Sequence, residues 1–80
     1  MMTQTKTDEQ YVKDCFSYAL AERLAAKGMK SVQLAKALEV TPVTVTNWTK
    51  GRNVPQLRHL VVIARLFGVT VSDLFPDRLP

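Results

Sequence analysis

Apolar and polar positions alternate along this chain with mostly helical periods. From Asp8 to Lys27, the residues Val12, Phe16, Leu20 and Leu24 recur every four positions and lay one apolar stripe along a helix. Thr7 with Gln10 forms a capping box, Asp8 and Glu9 suit the positive end of the helix dipole, and Gly28 is a natural stop. This predicts a first helix of about twenty residues, long for so short a chain. Ser31 then caps a short helix carrying Leu34, Ala35 and Leu38, which turns at Glu39 and Val40. Leu57, Leu60, Val61, Ala64 and Phe67 follow a period near 3.6, and Gly68 ends that helix. Thr70 with Asp73 starts a final short helix with Val71, Leu74 and Phe75, which Pro76 stops.

The stretch from Thr41 to Gly51 gives conflicting signals. Val43-Thr44-Val45-Thr46 alternates apolar and polar, and its β-branched residues favour a strand. Thr41 before Pro42 is instead a helix start, and Gly51 a helix end. Every neighbouring segment is helical, so a lone strand here would have no partner for its backbone. Thr41–Lys50 is therefore expected to be helical, with packing overriding propensity. The chain is then all-α, with five helices, the first extended.

Turning about 100° per residue from Val45 brings Trp48 to the same side, some 60° away. Both belong to the core. Val43, Asn47 and Lys50 fall on the opposite side with Thr46 near them, and Pro42 and Thr44 sit at the edges. A helix face that merely meets water more often carries Glu and Lys. This one has short hydrogen-bonding and methyl-bearing side chains, which suit close approach to DNA bases. Asn pairs bidentately with adenine, and Val or Thr methyls pack on the thymine methyl.

Charge sharpens that reading. The net charge is +4 and the pI about 9.6. No acid lies between Val40 and Ser72, a window holding Lys50, Arg52, Arg58, His59 and Arg65. An acid-free zone around the outward helix face suits a polyanion.

Here the chain resembles the helix-turn-helix domains of the phage Cro and CI repressors, the XRE type. The resemblance spans about Phe16 to Phe75. Its centre is LAKALEVTPVTVTNWTKG, where Leu34-Ala35, Val40, Val45 and Trp48 match buried family positions. Trp48-x-x-Gly51 with Pro55 matches the loop after the recognition helix, and LVVIARLFGVTVSDLF resembles helix 4, its glycine and helix 5. The resemblance implies a five-helix lambda-repressor-like domain over 8–76, with a helix-turn-helix motif at about 31–50, a flexible arm at 1–7 and a tail at 77–80. It implies a recognition helix at 41–50 lying in the major groove. Pro42, Val43, Thr44 and Asn47 match the positions that meet base edges. Ser31, Thr41, Thr46, Lys50, Arg52 and Asn53 match positions near phosphates. Three departures stand out. Glu39 occupies a turn position where the family has Gly, so it must take a strained or altered turn. Ser31 stands where Gln is common. Leu24 and Thr49 replace an Arg–Glu pair that often joins helix 1 to the end of helix 3.

The remaining residues carry less. One Cys makes no internal disulfide, and one His with scattered carboxylates offers no nucleophile–base pair or metal cluster. Cys15 reads as a small core residue and His59 as a surface one. No cofactor, small-molecule ligand or catalysis is expected, and no apolar run reaches the length of a membrane span. The expected protein is a cytoplasmic, nucleoid-associated repressor. It binds double-stranded operator DNA as a homodimer, because one short recognition helix reads too few base pairs alone. Its length resembles Cro more than full-length CI, the alternative being the DNA-binding fragment of a longer protein. Val54, Leu57 and Arg58, the stretch Phe75–Leu79 and the first helix are candidate dimer surfaces. The rival expectation is a protein-interaction module of the same fold, such as an antitoxin or a regulator antagonist, with weak DNA binding.

Overall fold

A computed structural model describes residues 8–76, and the expected arm at 1–7, the Thr7 cap and the tail at 77–80 lie outside them. Among the described residues there are four α-helices: α1 (Asp8–Lys27), α2 (Ser31–Leu38), α3 (Pro42–Thr49) and α4 (Leu57–Phe67). A single 3-10 turn, η1 (Val71–Leu74), follows.

The expected fifth helix is thus corrected to that one turn. Its start was read correctly: Thr70 Oγ1 accepts from the Asp73 N–H at 3.3 Å, and Asp73 Oδ2 accepts from the Thr70 N–H at 3.1 Å. Pro76 follows too closely for i→i+4 bonding to propagate, so the tighter i→i+3 pattern is what forms. The disputed stretch is α3, a helix, as packing against its helical neighbours requires. Ser31 does not cap α2. Lys30 stands at that position with extended backbone, its N–H donating to Gln33 Oε1 at 2.8 Å, and Ser31 is the first helical residue.

All four helices end the same way, with the paired bonds of the Schellman motif. In α1, α2 and α4 the residue after the left-handed one is apolar: Met29, Val40 and Val69, each packed against the core. In α3 that place belongs to Arg52, whose N–H donates to the Asn47 carbonyl at 3.0 Å.

The core is wholly apolar among the described residues. Phe16, Leu20 and Leu24 of α1 meet Leu34, Ala35 and Leu38 of α2, Val45 and Trp48 of α3, Leu60, Ile63 and Ala64 of α4, and Leu74. Val12 leaves the expected stripe and is 45% exposed. A spacing of four drifts by about 40° per step on a helix of 100° per residue, so Cys15 and Ala19 take the buried side instead. Leu57 likewise is 69% exposed, while Ile63 is fully buried. Phe75 packs against Phe16 with ring centroids 5.2 Å apart, which holds the residue just after η1 against α1.

Candidate nucleic-acid interface

The site is α3 and the loop that follows it. Thr41 starts the helix: its backbone is extended and its Oγ1 accepts from the Thr44 N–H at 3.2 Å. Pro42 takes the first helical position, where a missing N–H costs nothing. Val45 and Trp48 turn inward and are buried, packed between α2 and α1. Trp48 lies against His59, ring centroids 6.0 Å apart, so His59 is half-buried rather than a free surface group.

Two bonds fasten the far end of α3 to α1. The Ser17 hydroxyl donates to the Thr49 carbonyl. Gln10 Nε2 donates to the Gly51 carbonyl at 3.0 Å and to Asp14 Oδ1 at 3.0 Å. These occupy the role expected for the replaced Arg–Glu pair. Leu24 is simply core.

The expected base-reading residues share this helix. Pro42 and Val43 are exposed, Val43 to 67%. Thr44 is half-buried with its Oγ1 2.9 Å from that of Thr41. Asn47 is half-buried, and its Oδ1 accepts from Arg52 Nη1 at 2.9 Å. Among the expected phosphate contacts, Lys50, Arg52 and Asn53 are exposed around the end of the same helix. Thr41 is exposed at its start, and Thr46 is half-buried on its side. The Thr46 carbonyl accepts from the Thr49 hydroxyl at 2.9 Å. Ser31 is half-buried on a different element, at the start of α2.

Thr44, Asn47 and Asn53 line one groove of about 300 Å³ with Arg58 and His59. Arg58 and His59 were not among the expected DNA contacts. The Asn47–Arg52 bond was also missed. Its signal was present: a left-handed Gly51 folds the sixth residue of a Schellman motif back over the first, and those residues are Arg52 and Asn47.

Among the described residues, no group of three or more His, Cys, Asp or Glu side chains is placed to hold a metal ion, and no helix is long and apolar enough to cross a membrane.

With this geometry in place, comparison with known proteins is specific. A helix-turn-helix family model matches residues 20–74. The chain is 29% identical over 59 residues to the HTH-type transcriptional activator BcrR of Enterococcus faecalis, covering 74% of this chain and 29% of that protein. Among solved structures, it superposes on the SOS-response transcriptional repressor LexA from Eubacterium rectale with a TM-score of 0.76 at 25% identity, covering 96% of this chain and 85% of that one. The hydroxypropylphosphonic acid epoxidase from S. wedmorenis gives a TM-score of 0.76 at 29% identity, covering 84% of this chain and 36% of the enzyme's. The chain thus spans about a third of the length of that enzyme and of the activator, and the likeness reaches only that part of each. Through residues 20–74, the chain belongs to the XRE-type helix-turn-helix family of DNA-binding transcription regulators.

Proposed function

We propose that the chain is a sequence-specific transcription regulator, a Cro-like repressor that binds a near-palindromic operator as a homodimer. It is not an enzyme in this reading, and it works in the cytoplasm on the chromosome. The observation that carries the proposal is the outward side of α3. It presents Pro42, Val43, Thr44 and Asn47 without an acid, on a helix held at both ends and backed by the apolar core. α3 enters the major groove, and these four meet base edges. Ser31, Thr41, Thr46, Lys50, Arg52 and Asn53 face phosphates, which fix register without reading sequence. Thr41 contributes there mainly by holding the α3 amides in place, since its hydroxyl is committed to the cap.

Comparing Asn47→Ala with Lys50→Ala tests this. Loss of Asn47 should relax base preference at one position by about 1–3 kcal/mol. Loss of Lys50 should weaken all sequences alike and reduce the salt slope by about one. If neither change alters DNA binding, α3 is not the reading helix.

One observation supports a second reading. Val43 is 67% exposed in the middle of the face, an apolar group as well suited to a protein surface as to a thymine methyl. In that reading the domain holds a protein partner, as an antitoxin or an antagonist does. The signature is tight protein binding with weak, sequence-blind DNA affinity.

A further inference from the structure

We infer that Arg52 sets the hydrogen-bonding polarity of Asn47, so that the pair reads a guanine rather than an adenine. This rests on the proposal that α3 is the helix that meets bases, and it moves Arg52 from the phosphate contacts proposed there to the reading face.

Arg52 is tied to Asn47 twice. Its N–H donates to the Asn47 carbonyl at 3.0 Å, and its Nη1 donates to Asn47 Oδ1 at 2.9 Å. The backbone bond is part of the Schellman turn at Gly51, whose φ is 74°, so the side chains meet because the turn returns the chain over its own helix. A guanidinium has only donors, so the Asn47 atom that faces it must be the carbonyl oxygen. The amide nitrogen is thereby directed away from Arg52. At the equivalent place after α1, α2 and α4, the chain puts Met29, Val40 and Val69 on the core. Arg52 departs from that pattern, and its side chain is exposed beside the reading face instead.

The chemical consequence concerns which base fits. Bidentate pairing to adenine needs the Asn oxygen to accept from the N6 amino group while its nitrogen donates to N7. Here one of that oxygen's two lone pairs already accepts from a cation, and the rest of the guanidinium offers only further donors. Outwardly the pair is rich in donors. Guanine is the base whose major-groove edge carries two acceptors, N7 and O6. An adenine amino group would have only the remaining lone pair of Asn47 Oδ1 to donate to, beside a guanidinium that offers donors alone.

The test is selection from a random duplex pool with the wild-type chain, Asn47→Ala and Arg52→Ala. Arg52 is exposed, so its loss leaves the core intact. The wild type should prefer guanine at one position of each half-site by about 5- to 150-fold. Asn47→Ala should flatten that position alone. Arg52→Ala should shift the same position toward adenine, changing the guanine-to-adenine ratio by about tenfold or more. Adenine at the Asn47-dependent position in the wild type overturns the inference. So does an Arg52→Ala chain whose affinity falls by one factor for all sequences with the preference pattern intact, the behaviour of a simple phosphate contact. A wild type that selects no sequence removes the proposed function, and this inference with it.

Discussion

Glu39 and Gly51 hold the same place at the ends of two successive helices, and only one of them suits it. Both are left-handed, Glu39 at φ 59° and Gly51 at φ 74°. For an L residue with a Cβ, that region costs about 1–2 kcal/mol. The sequence already marked Glu39 as a residue that must strain or alter its turn, and it accepts the strain without changing the turn. Glu39→Gly should therefore raise stability. The gain is about 0.5–1 kcal/mol, because the freer unfolded chain takes back part of the relief. Gly51→Ala should lower stability by about 1–3 kcal/mol. The added Cβ would stand 2.9 Å from Asp14 Oδ1, an atom already engaged with Gln10, which itself holds the Gly51 carbonyl. Urea unfolding checks both, as midpoint shifts in opposite directions at unchanged slope. Contacts between side chains were the least legible part of the sequence. A wheel drawn on α3 ranks Asn47 as outward but ends before Arg52, so it cannot show that the turn brings the two together.

Helix starts and stops were more legible than the faces between them. Thr41-Pro42 and Gly51 outweighed four β-branched residues, because caps are local chemistry whereas strand propensity is conditional on a partner strand. Thr41→Ala should cost about 1 kcal/mol by removing that cap. It should also weaken DNA binding, since the cap fixes the amides at the start of α3, and unfolding and binding titrations of the same variant will show both losses. The final turn shows where such signals stop short: Thr70 and Asp73 specify a start but not a length. Asp73 holds its carboxyl below the usual range, first through the Thr70 backbone N–H, then the Thr70 side chain, with Arg23 adding a smaller attraction. A depressed carboxyl favours the folded state above its unfolded pKa, and that support is lost as pH falls through the folded value. The stability gap between wild type and Asp73→Asn should therefore be full at neutral pH and close in strong acid.

For the whole molecule, the all-α architecture was readable because a single apolar core needs only the order of its helices. α1, α2, α3 and α4 each supply two or three buried side chains to one cluster. The acid-free window from Val40 to Ser72 covers α3, the loop and α4, and no charged side chain belongs to the core cluster. The pairing of two copies was not legible in the same way. Of the surfaces considered, Leu57 is strongly exposed, whereas Phe75 is engaged with Phe16. Symmetry is better read from the DNA, where a two-fold protein imposes a two-fold site. The most direct measurement is selection from a random duplex pool at roughly physiological salt, followed by sequencing. An enriched near-palindrome with half-sites about ten base pairs apart is the predicted result. Binding that enriches no sequence and disappears as salt rises would contradict the account, leaving only attraction between a basic surface and phosphate.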